Sequence, residues 1–167
     1  MNFPSYKLIA VVLAVIVAAT DQFTKNAILD LFPKEGMSQA VTSFFNLVLV
    51  YNHGISFGMF NHAPVETQPL IFIAVAATIT TALIIWLLRT RSRLIVNALG
   101  MIIGGAIGNG IDRALHGAVI DFIDFYVTWG ATPHHWPSFN VADSAIVCGV
   151  GLLFIDSLAF DKKNPQE

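Results

Sequence analysis

Charge is scarce in this chain. Asp, Glu, Lys and Arg together make up 12% of its 167 residues, about half the share found in an ordinary soluble domain. So few polar side chains cannot coat a water-soluble globule, and lipid must be part of the solvent. A basic excess is missing too: the formal net charge is -2, which leaves no electrostatic footprint for nucleic acid. Cysteine occurs once, as Cys148, so an intrachain disulfide is excluded. No lipobox-like residues precede it, so it is not expected to be lipid-modified. The five histidines lack H-E-x-x-H spacing, and adjacent His134 and His135 make a poor ligand pair. Neither a metal nor a cofactor is expected.

What the chain has is apolar length. Hydrophobic residues form 55% of it, gathered into four runs of about 20 residues, each able to cross a hydrocarbon core as a helix. The predicted spans are 6–29, 69–88, 94–111 and 141–160, in one polytopic membrane domain covering 1–167. The first run resembles a secretory signal in having Lys7, an apolar core and Ala18-Ala19. Asp21 and Lys25 directly after the core, and three further spans, fit a retained helix better. Lys7, Arg89, Arg91, Arg93, Lys162 and Lys163 fall at one set of span ends, against Lys25, Lys34 and Arg113 at the other. That bias puts both termini in the cytoplasm. Trp129 and Trp136 are then expected at the outer interface and Trp86 at the inner one.

Two segments face outward in this arrangement. Residues 32–68 contain Phe44 to Tyr51, rich in aromatic and β-branched residues, then Asn52-His53-Gly54, then Ile55 to Phe60. This pattern predicts a small β-hairpin with two apolar faces, resting on the membrane surface. Residues 112–139 are expected to form a second outer loop. Gly100, Gly104 and Gly108 line one stripe of the third span, where they let another helix approach closely. The fold class is therefore membrane all-α, with four transmembrane helices, a small outer hairpin or sheet and a second loop.

Asp21, Asn109, Asp112, Arg113, Asp121, Asn140 and Asp143 all lie at or just beyond the outer span ends. Ionisable groups at membrane depth are costly, so they pair, line water or work. Asp21 and Lys25 stand i, i+4 and suit a helix-surface ion pair. Asp112 and Arg113 suit structural support, and Asp156 at the inner end is given no role. Asp121 is different, because Ala118 to Ile123 surround it with apolar residues that make an unpaired carboxylate expensive. Asp143 follows Asn140 by three positions, a capping-box-like arrangement at a helix start. Brought together, two such carboxyl groups share a proton and offer acid and base at once. Asp143, at a helix N-terminus, is expected to keep the charge and Asp121 the proton.

At these residues the sequence resembles the lipoprotein signal peptidase (signal peptidase II) family. Five blocks carry the resemblance in family order: Asp21 to Lys25, Asn52 to Phe57, Gly104 to Arg113, Gly117 to Phe122, and Pro137 to Asp143. The resemblance implies a four-helix aspartyl endopeptidase of a bacterial inner membrane, with its active site near the periplasmic face. It would remove the signal peptide from prolipoproteins by cutting before the diacylglyceryl-modified cysteine. Asp121 and Asp143 match the catalytic pair. Asn52, Gly54, Asn109, Asp112, Arg113, Asn140 and Ala142 match positions that line or brace the pocket, and Asp21 and Lys25 match a supporting block. The implied partners are the lipid-modified precursor, membrane lipid and globomycin-type inhibitors, and the expected state is a monomer. Two departures stand out. The stretch Thr128 to His135 is slightly long, which makes Asp124 a rival to Asp121, and His53 replaces a small or polar residue.

Other chemistries are weaker on the same residues. Gly54-Ile55-Ser56-Phe57-Gly58 reads as G-x-S-x-G, but no helix begins on cue after it, and the spans hold no histidine. A transporter would suit the intramembrane carboxylates and glycines. Its site is expected at the midplane, though, rather than at one membrane edge.

Overall fold

A computed structural model describes residues 5–54 and 68–161. Four helices dominate it: α1 (Ser5–Leu31), α2 (Gln68–Arg89), α3 (Arg93–His116) and α4 (Val141–Asp161). Each contains a stretch long and apolar enough to cross a membrane. A helix stands at each of the four runs expected to span, the third longer by more than a turn. It continues past Ile111 because Asp112 is bonded inside the protein instead of ending the helix. Ser92 caps the start of α3 by accepting from the Ile95 N–H, and Gly117, at φ 71°, ends it with its N–H on the Arg113 carbonyl. A left-handed residue at that place is a normal helix terminator, and it favours glycine.

α3 is the central helix. Over its most apolar window 56% of residues are buried in protein, against 17%, 6% and 17% for α1, α2 and α4. Its glycines explain how. A Cβ on Gly100 would lie 2.7 Å from the Ala10 carbonyl oxygen, one on Gly104 would lie 2.7 Å from that of Ala14, and one on Gly105 would lie 2.4 Å from that of Ala142. Backbone therefore packs on backbone along the expected stripe against α1, and Gly105 adds a second side against α4. At the end near the α2–α3 turn, Ala10, Ala14, Leu87, Val96, Leu99 and Ile103 form one core, and the Lys7 ammonium donates to the Leu88 carbonyl.

The opposite end carries a four-stranded antiparallel sheet: β1 (Ser38–Ala40), β2 (Phe45–Asn52), β3 (Val119–Trp129) and β4 (Thr132–His135), in that spatial order. The expected strand at Phe44 to Tyr51 is β2, and its neighbours are β1 and β3. The other arm of the expected hairpin, Ile55 to Phe60, lies outside the described residues, as do Ser56, Gly58, His62, Lys162 and Lys163. Residues 112–139, expected as a loop, resolve into the last turn of α3 and two strands. Asp121 and Asp124 interrupt the apolar run there, and strand pairing overrides that interruption because both carboxyl groups find donors. Ile28 of α1 and Phe32 just beyond its end pack with Leu49, Ile120 and Phe122 to dock the sheet on the bundle.

Candidate active site

Three short connections set the site. Gly117 turns the chain from α3 directly into β3. The register of β2 on β3 puts Val50 opposite Asp121 and Asn52 opposite Val119. Beyond β4, the Phe139 carbonyl accepts the N–H groups of Phe122 (3.1 Å) and Ile123 (2.8 Å), and the Phe139 N–H returns to the Ile123 carbonyl. That clamp delivers the next residue, Asn140, to the side of β3 just as α4 begins.

Asn140 is the N-cap of α4 and is fully buried. Its Oδ1 accepts the Asp143 N–H at 2.8 Å, while the Asp143 carboxylate reaches back to the Asn140 N–H at 3.3 Å. This is the reciprocal pattern of a capping box. Its Nδ2 donates to Asp121 Oδ1 at 2.7 Å, and also lies 3.2 Å from both the Ile120 carbonyl and Asn109 Oδ1. One asparagine thus touches both carboxyl groups, so Asp121 and Asp143 meet at the junction of sheet and bundle. The remaining oxygens are also engaged: Asn52 Nδ2 donates to Asp121 Oδ2 at 2.9 Å, and Asn109 Nδ2 donates to Asp143 Oδ1 at 2.8 Å.

The two acids differ in surroundings. Asp121 is 2% exposed, whereas Asp143 is half-buried. Burial pushes the Asp121 carboxyl up to about 6, the Asp143 charge adds to the rise, and the amide donors of Asn52 and Asn140 oppose it. This is the environment that keeps a proton on a carboxyl group. A cavity of about 430 Å³, lined by Val50, Tyr51, Asn52, His53, Asp121, Pro137 and Ser138, opens beside it.

Beneath the pair lies a buried ionic cluster. Lys25 Nζ is 2.7 Å from Asp21 Oδ2, 2.6 Å from Asp112 Oδ2 and 3.0 Å from Asn109 Oδ1. The Asp21–Lys25 pair, expected on a helix surface, is instead buried, because Asp112 joins it from α3. Asp21 Oδ1 accepts the Ala142 N–H at 2.9 Å, which satisfies another free donor at the start of α4. Asp112 takes the Ile120 N–H at 3.0 Å and the Gln22 side-chain amide at 2.8 Å. Ala142 is fully buried where α4 meets α3, and only a small residue fits there. Arg113 extends from α3 over the Phe72 ring, 5.5 Å from its centroid. Gly54, at φ 75°, donates to Asn52 Oδ1 at 2.9 Å and rests against the same ring.

All eleven residues singled out in the sequence therefore gather at this end of the bundle. Gln22 was missed as a partner of Asp112, although it falls inside the first quoted block. Asp124 is not part of the cluster. Three positions from Asp121 on a strand, it points to the other face, where Asn46 Nδ2 (2.8 Å) and His135 Nδ1 (2.9 Å) hold it.

Four membrane-crossing helices with a sheet at one end, and two carboxyl groups held by a single asparagine between them, define a polytopic membrane protein with a paired-acid site. A family model described as "Signal peptidase (SPase) II" matches residues 13–159. Among curated relatives, the lipoprotein signal peptidase of Rhodopseudomonas palustris is 45% identical over 153 residues, covering 90% of this chain and 92% of its own. That of Francisella tularensis subsp. novicida is 38% identical over 166 residues, covering 98% and 100%. A bacterial membrane enzyme solved by the in meso method at 2.3 Å superposes with a TM-score of 0.76 and 31% identity, over 95% of this chain and 92% of that one. The chain belongs to the signal peptidase II family.

Proposed function

We propose that this protein is an aspartic endopeptidase that removes signal peptides from prolipoproteins, cutting before the diacylglyceryl-modified cysteine, with Asp121 and Asp143 as its catalytic pair. The observation that carries the assignment of the pair is Asn140, whose side-chain amide donates to the Asp121 carboxyl while its backbone N–H donates to the Asp143 carboxylate. Two carboxyls that feel each other's charge, as these do, share a proton, and the pair titrates as a unit. Asp143, as carboxylate, takes a proton from a water whose oxygen attacks the scissile carbonyl carbon. Asp121 gives its proton to the carbonyl oxygen, forming a gem-diol. Asp143 then passes its proton to the leaving nitrogen while Asp121 recovers one from the diol, and the C–N bond breaks. Asn52, Gly54, Asn109, Asp112, Arg113, Asn140 and Ala142, with Asp21 and Lys25 below, line or brace this pocket.

In this reading the chain is one polytopic domain of a bacterial inner membrane. Both termini are cytoplasmic, as the Lys and Arg bias supports, and the site lies near the periplasmic face. It works as a monomer among membrane lipids, and globomycin-type inhibitors occupy the same cleft. The test is cleavage of a diacylglyceryl-modified prolipoprotein by purified wild type, Asp121→Asn and Asp143→Asn. Wild type should release the signal peptide, and each variant should lose at least the roughly 10²-fold that a general acid or base contributes. Near-normal turnover by either variant would remove the dyad.

A further inference from the structure

The Asn109 side chain is asked for two opposite things. Its Nδ2 must face Asp143 as a donor, and its Oδ1 must accept the Nδ2 of Asn140. An amide turned by 180° would present oxygen to a carboxylate and N–H to N–H, and would spoil both contacts. Local sequence does not prevent the turn, because both amide faces are similar in shape. Beyond the loss of those two contacts, Lys25 opposes it. An ammonium has donors only, so at 3.0 Å it accepts nothing but the oxygen side of Asn109. Lys25 is itself immobile: it is 1% exposed and held by carboxylates from two helices, Asp21 on α1 and Asp112 on α3.

We infer that Lys25 is a positioning residue for the reaction, locking the Asn109 amide so that its N–H always points at Asp143. This rests on the dyad proposed above and deepens it. Lys25 never meets substrate; it acts one hydrogen bond away. Asp143 is also within the electrostatic reach of Asp121 on β3 and Arg113 on α3. The Asn109 donor adds to these a fixed dipole that favours its anionic form. Without the lock, Asp143 loses its shorter directed donor, and its carboxylate is left on the 3.3 Å contact with the Asn140 N–H.

A buried lysine between two carboxylates also serves folding, so the test separates the roles. Lys25→Met removes the charge and the donor. Lys25→Met/Asp21→Asn does the same and restores the cluster to its original net charge, with Asp112 as the single remaining anion. Lys25→Gln keeps a neutral donor toward Asn109. Each is assayed for unfolding temperature, for kcat and KM on the lipid-modified precursor, and for the pH dependence of kcat. The double variant is expected to unfold near wild type and to keep its KM. Its kcat should fall about 10²-fold, the scale set by misaligning a reacting group, and the acidic limb of its profile should move to higher pH. Lys25→Gln should recover a large part of kcat. A stable double variant with wild-type kcat would overturn the assignment, and so would failure of every Lys25 variant to fold, which would make the lysine a folding residue alone. Wild-type inactivity on this substrate would instead overturn the parent reading.

Discussion

Asn140 Nδ2 lies 2.7 Å from Asp121 Oδ1, and this one contact joins the sheet to the first residue of α4's capping structure. Cap and positioning device are the same side chain, and a substitution can separate them. Serine keeps an acceptor for the Asp143 N–H but cannot donate to Asp121 as an amide does. Asn140→Ser should therefore be more stable than Asn140→Ala by about 1 kcal/mol, the usual worth of an N-cap. Both should lose turnover. Chemical or thermal unfolding set beside kcat checks this, and equal stability of the two variants would remove the capping role.

The Asp121 carboxyl holds its proton more firmly in the folded protein, at about 6, than its ordinary value of 3.8. Folding therefore favours the protonated form. The stabilisation is fully present below pH 3.8, fades as the pH climbs through about 6, and is absent above. The span corresponds to something of the order of 3 kcal/mol. Unfolding of wild type and Asp121→Asn should be compared from about pH 3 to about pH 7, where the stability difference between them should change in that direction. A difference that stays constant with pH would contradict the burial of this group.

Asp124 offers the control for Asp121. It has its own donors in Asn46 and His135 on the other face of β3. Asp124→Asn should cost less than the roughly 10²-fold expected for loss of a general acid or base. It should weaken the β3–β4 hairpin, seen as faster amide exchange there. A catalytic collapse in this variant would transfer the acid role to Asp124.

Two glycines of α3 should respond in opposite ways to alanine. At Gly105 the added methyl would lie 2.4 Å from the Ala142 carbonyl oxygen, whereas at Gly110 nothing stands within 4 Å. Gly105→Ala should destabilise by about 1–3 kcal/mol through overpacking and lower activity, because Asn109 and Asp143 bond one turn further along. Gly110→Ala should be neutral or gain up to about 1 kcal/mol from helix propensity. Unfolding of the two variants side by side decides it, and similar values would contradict the close α3–α4 contact.

The spans were legible because apolar length suffices to identify a membrane helix, and the glycine stripe announced where another helix would approach closely. Much of the sheet was hidden. Ser38-Gln39-Ala40 and Thr132-Pro133-His134-His135 carry no strand signature and are strands only through their neighbours. Asp121 stood out because a carboxyl among Val, Ile and Phe needs a reason. Lys25 did not, since an i, i+4 pair with Asp21 accounts for it locally. That Asp112 and Asn109 close over it depends on how α1 meets α3, which no short window of sequence contains.

Asp121 rides on a strand and Asp143 on a helix, and an apolar patch around Ile28, Phe32, Leu49 and Ile120, together with the Phe139 backbone bonds, keeps their supports together. The proposed reactive centre is thus a seam. Prising that seam open by a few ångströms would silence the protein while every helix stayed intact in the bilayer, so a small wedge between Phe32 and Leu49 could disarm it without ever entering the cleft.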